Sequence, residues 1–596
     1  MRIYVFIFLL GVLIPASRIW SQTDVERIAV KTDSVINAHF DGLGVEWDPF
    51  FWFPTNQSRG LSEDDWALIV QRIKLMQLQN VRMFILPNWY EPENDNQDAD
   101  SIRQDGFLFD SAEMTAVYRY LDVCDSLNID VNLTLWGARN DRLYGKPNYW
   151  LAFSGSNNWI TAPNDLDEWA ENVLALLRHL IEVRGYTCIT YLTMSNEPNP
   201  PHQGFWTPGT INKKLWYREM YKRVDQRLRA EHLRDRIKLI GADEADTDDY
   251  SWFTYMAQGA DSIMDVLASH TYAFDMDIPN YPDLIAAWVR RRIHTLANAD
   301  RPAKPFFVAE FGTNNGIGPY QNPDVDTFER GFFLADFAIA AMNQGASLLS
   351  YWTLHDIWYQ YGKLMQLGLW AYYDQQWRLR PSWYVWSMMS RLIRNGDKII
   401  GTETSQPDRI AAVAVRNDDG RINIVVANRS EQPQAVQILF DDMSTRRFTK
   451  YVFAGETISA LNDQLLPPVG TLFTQLTDTL LAKSITFYEE ETSSGIFPSF
   501  ETDAGPKTYS VLENYPNPFR SQTLIQLRLA DFKRVTLAVY NLKGQLVRTL
   551  VRNSSVRNAH IVWDGCDDSG NKVAQGVYLL SLQGEGFFAG RKIVVF

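Results

Sequence analysis

Short apolar runs alternate with longer amphipathic segments between residues 40 and 395. The runs have the length and composition of buried strands, and they comprise residues 39–47, 81–87, 129–136, 188–198, 237–244, 266–272, 305–312 and 346–356. The segments between them, such as 167–185 and 210–232, have the periodicity of helices. Eight strands alternating with helices predict a (β/α)8 TIM barrel, an α/β fold, over residues 40–395. An open doubly wound sheet is the alternative, but no Gly-rich phosphate-binding sequence follows the first strand.

The pattern changes after residue 395. Short strands separated by turn signals, such as Asp418-Asp419-Gly420, predict a β-sandwich over residues 396–490. Residues 22–39 are also strand-like, and we expect them to pair into this sandwich, which would make it discontinuous in sequence. A polar linker over 491–507 then leads to residues 508–596, whose strands and Gly-containing turns predict a small Ig-like β-sandwich.

The N-terminus has the organisation of a secretory signal peptide. One arginine precedes an apolar run from Ile3 to Ile14, and small residues follow, so that cleavage after Ser17 or Ser21 removes a segment of up to 21 residues. The run is too short for a comfortable membrane span. The longest apolar stretch elsewhere, 331–352, is interrupted by polar residues and a glycine. We therefore expect a secreted or cell-surface protein with no transmembrane span after signal cleavage.

Composition excludes several classes of function. The formal charge is −14, and no compact basic stripe is present, so the chain is not expected to bind nucleic acid. Three cysteines scattered over 596 residues make neither a disulfide framework nor a metal cluster. There is no HExxH motif and no group of His and Asp ligands. We therefore expect no metal and no cofactor.

Two glutamates end apolar runs that ought to be buried. Glu197 follows "TYLTM" in the fourth strand candidate, and Glu310 follows "PFFVA" in the seventh. Either residue alone is equally well explained as a salt-bridged structural acid. Together they face each other, because the carboxyl ends of strands in a (β/α)8 barrel meet in one cleft. Two opposed carboxylates suit glycoside hydrolysis, in which one protonates the leaving oxygen and the other attacks the anomeric carbon or activates water.

Other polar and aromatic residues lie at the ends of neighbouring strand candidates. These are Arg82, Asn196, His270, Tyr272 and Trp352. With "NEP" at 196–198, "HTY" at 270–272 and "EFG" at 310–312, the order of motifs over residues 40–395 resembles the clan A retaining glycoside hydrolases. The opening "FDGLGVEWDPF" is more similar to families 30, 39 and 51, whereas the catalytic motifs fit the cellulase-type family 5 equally well.

The resemblance implies a role for each of these residues. Glu197 would be the general acid/base and Glu310 the nucleophile. Asn196 would bind the sugar 2-hydroxyl, Tyr272 would contact the nucleophile and Trp352 would form the floor of the subsite for the cleaved sugar. Arg82 would support the nucleophile and keep it ionised, and His270 would be a hydrogen-bonding strut, while Glu197 would be protonated at working pH.

Aromatic side chains near the same strand ends are candidate sugar platforms, because flat rings bury the CH faces of sugars. Trp352 is the first candidate, followed by Trp47, Trp89 and Trp136, although aromatic residues also fill barrel cores. Glu46 and Asp48 are candidates for binding hydroxyl groups, and helix capping or a salt bridge explains them about as well.

The C-terminal region carries a second resemblance. "ENYPNPF", "VYNLKGQLVRTL", "WDGCDDSGNKVAQGVYLLSL" and the terminal "RKIVVF" resemble the type IX secretion sorting domain, an Ig-like fold related to the flagellar hook-cap domain. This resemblance implies the outer-membrane secretion machinery as a partner, and an ordinary carbohydrate-binding sandwich is the alternative.

The sequence thus predicts a secreted retaining glycoside hydrolase that cleaves β-glycosidic bonds in a polysaccharide or oligosaccharide. The alternative is a non-catalytic glycan-binding surface protein on a glycosidase-like barrel. Loss of one carboxylate or of Asn196 would be its sign, and all three residues are present. The same catalytic pair serves cellulose, mannan, xylan or galactan, because specificity depends on the loops.

Overall fold

The computed structural model describes residues 25–142, 145–199, 205–245, 251–260, 262–273, 281–297, 304–313, 322–444, 446–455, 464–473, 477–491, 510–541, 545–584 and 587–596. The predicted signal peptide and most of the predicted linker lie outside these residues. The chain divides into two compact units, residues 1–491 and 492–596. No helix among the described residues combines the length and apolarity that a membrane span requires.

The first unit contains twenty-one described strands and nine described α-helices. Its strands are β1 Glu26–Asn37, β2 Gly42–Glu46, β3 Asn80–Phe84, β4 Asp130–Thr134, β5 Ala138–Arg139, β6 Ile160–Thr161, β7 Ile189–Thr193, β8 Lys238–Glu244, β9 Val266–Ala273, β10 Phe306–Thr313, β11 Leu348–Tyr351, β12 Ile357–Trp358, β13 Leu364–Met365, β14 Lys398–Thr404, β15 Ile410–Arg416, β16 Ile422–Asn428, β17 Gln434–Phe440, β18 Arg447–Phe453, β19 Pro468–Phe473, β20 Thr477–Leu480 and β21 Ser484–Glu490. Its helices are α1 Pro54–Gln57, α2 Glu63–Met76, α3 Ala112–Leu127, α4 Leu166–Leu177, α5 Lys213–Ala230, α6 Ser251–Gly259, α7 Tyr281–Ala297, α8 Phe328–Met342 and α9 Pro381–Leu392.

Eight of these strands close into a parallel barrel. Around the barrel they follow the order β2, β3, β4, β7, β8, β9, β10 and β11, which is also their order in the chain. Strands that are covered on both faces have continuously apolar sequences. Strand β10, "FFVAEFGT", is an example, since every residue in it is buried. The (β/α)8 barrel predicted from the alternating pattern is confirmed, and the carboxyl ends of its strands define where a site can form.

A nine-stranded sheet covers one side of the barrel, with the order β19-β18-β21-β16-β15-β14-β1-β17-β20. Successive side chains along its strands pack into two different hydrophobic cores. In β15, Ile410, Ala412 and Ala414 pack inside the curled sheet, whereas Val413 and Val415 pack on the side of the barrel helices. The sheet is attached to α8 by the salt bridge between Arg429 Nη2 and Asp336 Oδ1, 2.7 Å long. Because β1 pairs with β14 and β17, the sheet includes the strand that precedes the barrel.

The second unit is a five-stranded antiparallel sheet. Its strands are β22 Ser510–Tyr515, β23 Thr523–Asn541, β24 Leu546–Trp563, β25 Gly576–Gly584 and β26 Phe587–Val595. The long β23 pairs with β24 along one edge, and with β22 and then β25 along the other. Trp563 and Phe519 lie in its core with their ring centroids 5.4 Å apart. This is the Ig-like β structure expected for residues 508–596.

Candidate active site

The two predicted catalytic glutamates meet at the carboxyl-terminal face of the barrel. Glu197 lies just after β7, and Glu310 lies within β10. Both approach the same histidine atom: Nδ1 of His270 is 3.1 Å from Glu197 Oε1 and 3.5 Å from Glu310 Oε2. A carboxylate oxygen of Glu197 and one of Glu310 lie within 4.8 Å of each other. The pair is therefore close enough to act on one glycosidic bond.

Irregular backbone orients these acids. The register of β10 against β9 shifts between Val308 and Glu310, which places Glu310 beside His270. A second shift occurs between Ala242 and Glu244 on β8, at Asp243, whose φ is +52°. Glu197 also has a positive φ, +41°, and its N–H donates to the carbonyl of Asp243 at 3.0 Å. Bulges and left-handed residues of this kind turn side chains out of the regular strand alternation.

Arg82 lies at the centre of this group of side chains, which we call the Arg82 cluster, and is only 1% exposed. Its Nη1 donates to Glu46 Oε2 at 2.9 Å and to Glu310 Oε2 at 3.1 Å. Its Nη2 donates to Asn196 Oδ1 at 2.6 Å and to Asp243 Oδ2 at 2.9 Å. Burial lowers the pKa of Arg82, but the three carboxylates outweigh this effect and raise the pKa above its usual value. One fixed cation thus positions groups from β2, β8 and β10 and from the segment after β7.

His270 bridges the acids from β9. Its Nε2 is 3.0 Å from Asp243 Oδ1, and its Nδ1 faces both glutamates. Burial lowers the pKa of His270, but Asp243 and Glu310 outweigh it and raise the pKa to about 10. The ring is therefore an imidazolium at neutral pH, which donates from both nitrogens. Both ring nitrogens thus contact carboxylates, and the imidazolium has no acceptor nitrogen that could act as a base.

Tyr272 and Gly312 complete the surroundings of Glu310. The Tyr272 hydroxyl donates to Glu310 Oε1, so that both oxygens of this carboxylate accept hydrogen bonds. A side chain at position 312 would place its Cβ 3.2 Å from the Tyr272 ring and 3.4 Å from the Trp352 carbonyl oxygen. The glycine of "EFG" therefore allows the tyrosine to reach the carboxylate.

The cluster buries more acids than cations, and this imbalance changes their ionisation. Burial raises the pKa of Glu310 to about 7, against the lowering effects of His270 and Arg82. The expectation that Arg82 keeps Glu310 ionised therefore holds only above about pH 7. Burial also raises the pKa of Asp48 to about 7 and that of Glu46 well above its usual value. The neighbouring Asp48 carboxylate adds to the rise in the pKa of Glu46.

Two of the four tryptophan candidates lie close to the Arg82 cluster. Trp352 is 7% exposed, and its Nε1 approaches Met365 Sδ at 3.3 Å. Its ring centroid is 5.6 Å from that of Phe84. Trp136 is partly exposed and packs edge-on against the same Phe84 ring at 4.9 Å. Phe84 lies over the Arg82 guanidinium at 5.0 Å, so these rings form one wall beside the acids.

The other two tryptophans are core residues, which corrects the expectation that they bind substrate. Trp47 is 1% exposed, with Trp66 stacked at 5.3 Å and Tyr120 at 4.2 Å. Its Nε1 donates to His355 Nε2 at 3.3 Å. Trp89 is 2% exposed and packs edge-on against Phe53. Neighbouring protein rings contact both tryptophans, and almost no ring surface is left for a sugar.

Sequence reasoning missed Asp243, which contacts both cations of the cluster. The signal was present, since Asp243 and Glu244 end an apolar run just as Glu197 and Glu310 do. Glu244 turns the other way and binds Arg292 Nη2 at 3.3 Å. For Glu46 the salt-bridge alternative is correct, because its partner is Arg82. Asp48 accepts the backbone N–H of Phe84 at 2.9 Å.

Two groups of described side chains have a geometry that could hold a metal ion. The first is Glu197, His270 and Glu310, where the high pKa of His270 favours a proton on Nδ1 over a metal. The second, Glu91, Asp95 and Glu171, contains carboxylates alone and shares no residue with the Arg82 cluster.

Family models match two parts of the chain. Residues 519–586 match the FlgD Ig-like domain, and residues 407–457 match the C-terminal immunoglobulin-like domain of D-apionate lactonase. No curated protein matches the sequence.

Solved structures of glycoside hydrolases are similar to the chain in fold. A GH30 endoxylanase from Clostridium papyrosolvens C71 has 15% identity and a TM-score of 0.51, over 78% of this chain and 100% of that one. An alpha-L-arabinofuranosidase from Thermotoga maritima has 15% identity and a TM-score of 0.54 over the same shares. A GH39 beta-xylosidase from Caulobacter crescentus has 16% identity and a TM-score of 0.51, over 78% and 99%. The chain thus has the fold of these enzymes.

Proposed function

We propose that the protein is a secreted retaining glycoside hydrolase that cleaves β-glycosidic bonds by double displacement. The observation that carries the proposal is the spacing of Glu197 and Glu310, whose nearest carboxylate oxygens lie within 4.8 Å of each other. Retaining enzymes hold their carboxyl groups about 5–5.5 Å apart, whereas inverting enzymes need about 6.5–9.5 Å to admit a water. The spacing therefore supports direct attack by one carboxylate.

The hydrogen bonds and exposure of the two glutamates favour Glu310 as the nucleophile and Glu197 as the general acid/base. Glu310 accepts from Arg82 on one oxygen and from Tyr272 on the other, and both donors stabilise a carboxylate that will carry charge as a nucleophile. Glu197 is the more exposed of the pair, with 14% of its side chain accessible against 9% for Glu310. Glu197 is thus placed to exchange protons with the leaving group and with water.

In the first step, a Glu310 oxygen bonds to the anomeric carbon as the bond from this carbon to the leaving oxygen breaks. The Glu197 proton moves to that oxygen. In the second step, water attacks the anomeric carbon, Glu197 takes the water's proton, and Glu310 leaves as a carboxylate. The imidazolium of His270 stabilises the negative charge that alternates between the two glutamates.

The remaining residues would bind the sugar. The Asn196 carbonyl oxygen is held by Arg82, which leaves the amide nitrogen to contact the 2-hydroxyl. Trp352, with Trp136 beside the same Phe84 ring, would support the sugar ring. The similar structures include an endoxylanase, a beta-xylosidase and an alpha-L-arabinofuranosidase, so pentose-containing glycans are the first substrates to test.

The activity is tested on a panel of β-xylosides, α-L-arabinofuranosides, β-glucans, β-mannans and β-galactans. For a cleaved substrate, proton NMR of the first product should show retained anomeric configuration. The matching 2-deoxy-2-fluoro glycoside should leave a covalent sugar on Glu310, found by peptide mass spectrometry. The adduct should be absent in Glu310→Gln and present in Glu182→Gln, which replaces an exposed glutamate.

Three results would overturn the proposal. They are inversion of the anomeric centre, wild-type turnover in Glu310→Gln or Glu197→Gln, and glycan binding without cleavage of any panel member. The last would favour the non-catalytic glycan-binding protein.

We also propose export through a signal peptide at residues 1–21, with residues 508–596 as a type IX sorting domain that engages the outer-membrane machinery. The match of residues 519–586 to the FlgD Ig-like domain supports the fold of this domain. In a host with type IX secretion, the full chain should reach the medium or the cell surface. A chain that ends at Glu491, the boundary of the first compact unit, should stay in the periplasm. Equal export of both chains would contradict the sorting role.

A further inference from the structure

A second group of buried carboxylates lies apart from the Arg82 cluster. It consists of Glu91, Asp95 and Glu171, and we call it the acidic cluster. Glu91 follows the first turn after β3, and Glu171 lies on α4. Both glutamates have 0% exposure, and Asp95 is half-buried. Carboxylate oxygens from all three residues lie within 4.8 Å of one another, so the loop after β3 and the helix α4 meet through like charges.

The donors around the acidic cluster satisfy only part of it. Glu91 Oε2 accepts from Asn172 Nδ2 at 2.7 Å, and Asp95 Oδ2 accepts the backbone N–H of Arg103 at 2.6 Å. No described residue donates to Glu91 Oε1, Asp95 Oδ1 or either oxygen of Glu171. Asp95 raises the pKa of Glu171 through its negative charge, so this neighbour adds repulsion and no donor. Four oxygens of the acidic cluster therefore lack a donor among the described residues.

Buried carboxylates in this state are unfavourable unless protons or a cation neutralise them. Burial raises the pKa of Glu91 to about 9 and that of Glu171 to about 8, and the neighbouring acids add to both increases. Arg227 lowers the pKa of Glu171, but its guanidinium already binds Asp100 at 3.1 Å. One proton shared by two of the carboxylates would satisfy two oxygens, whereas a cation bound among the three residues would contact an oxygen from each of them.

We propose that Glu91, Asp95 and Glu171 bind a calcium ion that joins the loop after β3 to helix α4. Calcium takes oxygen ligands at about 2.3–2.6 Å, so oxygens on opposite sides of the ion are about 4.6–5.2 Å apart. Magnesium usually retains several waters, which a buried site does not accommodate, and zinc prefers nitrogen and sulfur ligands. Gly106 lets the loop fold back onto the site, since a Cβ there would lie 2.4 Å from the Asp95 Cβ.

Thermal unfolding of the full chain, with the signal peptide removed, tests this site. The protein is stripped with EDTA and scanned with and without calcium. Wild type should gain several degrees at calcium concentrations about 100-fold above Kd. Glu171→Gln should gain almost nothing, and in EDTA above about pH 8 it should melt at or above the wild-type temperature because it removes a buried like charge. Asp167→Asn is the matched control, since Asp167 lies on the same helix but pairs with Arg223 at the surface.

Terbium luminescence gives a second measurement on the same proteins. Tyr90 precedes Glu91 in the chain, so its excitation should sensitise bound Tb³⁺. Calcium should displace the signal in wild type and in Asp167→Asn, and the affinity should fall at least 100-fold in Glu171→Gln. Should Glu171→Gln fail to fold, Glu91→Gln makes the same comparison.

Two outcomes would overturn the inference. One is a wild-type melting temperature that does not respond to calcium. The other is an equal calcium response in wild type and the variants. Either result would assign the acidic cluster to shared protons. The site does not depend on the glycosidase proposal, because both measurements read binding and stability without turnover.

Discussion

The Arg82 cluster and the acidic cluster differ in how the charge of their buried carboxylates is neutralised. Both bury several carboxylates at the same end of the barrel. The Arg82 cluster contains two cations of its own, Arg82 and the imidazolium of His270, whereas no described residue donates to four oxygens of the acidic cluster. Built-in cations keep a site pre-organised whatever the medium contains. A site without them takes its charge from solution, as protons or as a metal ion.

We expect the largest effect on stability from replacing Arg82, the cation shared by three carboxylates of the Arg82 cluster. Arg82→Met leaves Glu46, Asp243 and Glu310 without their shared donor, and we expect a loss of about 3–5 kcal/mol in unfolding free energy, as for other broken buried ion pairs. Chemical denaturation of the first unit measures this loss. Arg103→Met removes an exposed ion pair and should leave the midpoint unchanged. An unchanged midpoint in Arg82→Met would show that protonation alone stabilises the catalytic acids.

A smaller effect is expected from neutralising Asp243. Asp243→Asn removes the acid that most strongly opposes the effect of burial on His270, so the pKa of His270 falls and its charge weakens. We expect kcat/KM on the substrate identified from the panel to fall about 10²-fold. Glu244→Gln, one residue along β8, is the control, because Glu244 binds Arg292. Equal losses in the two variants would indicate a general structural effect.

The pH dependence of kcat/KM reports the ionisation of Glu310 in the free protein. Because burial raises its pKa to about 7, the nucleophile is protonated below that pH, and kcat/KM should fall about tenfold per unit as the pH decreases. His270→Asn removes a charge that lowers this pKa, so the limb of the profile should move to higher pH. A limb that stays in place would show that His270 does not interact with Glu310 electrostatically.

The smallest effect concerns the stability of the acidic cluster in EDTA. Glu171 has a pKa of about 8 in the folded chain and an ordinary value of 4.5, so the folded state binds the extra proton. The contribution of Glu171 to the unfolding free energy is therefore fully present below about pH 4.5 and is lost as the pH rises through about 8. Between pH 6 and pH 9, Glu171→Gln should lose less unfolding free energy than wild type, by on the order of 1–3 kcal/mol. Asp167→Asn should follow wild type, and parallel curves for all three proteins would contradict the assignment.

The sequence predicts best what depends on regular periodicity. All eight barrel strands overlap the apolar runs, because a strand buried on both faces has to be continuously apolar. Glu197 and Glu310 stand out because they interrupt or end such runs. Asp243 and Glu244 carry the same signal, but only the bulge on β8 decides which of them points towards Arg82. A bulge is a property of two paired strands, so the chain alone does not show it.

Contacts between distant segments explain what the sequence missed. Trp47 and Trp89 lie near strand ends as expected, yet Trp66, Tyr120 and Phe53 cover them from other elements. The acidic cluster has no local motif, because Glu171 looks like a solvent-facing residue of an amphipathic helix. Its burial appears only when the loop after β3 folds over α4.

Strand β1 has a consequence for how the chain folds as it is synthesised. Both of its partners, β14 and β17, come from the far end of the first unit, after the whole barrel. Closing so long a loop is slow, and an unpaired strand edge is a site for aggregation until its partners arrive. A nascent chain that stops near residue 395 can hold a complete barrel and still leave its first strand unpaired. The first unit therefore completes its fold only after β14 and β17, which are synthesised after the whole barrel, pair with β1.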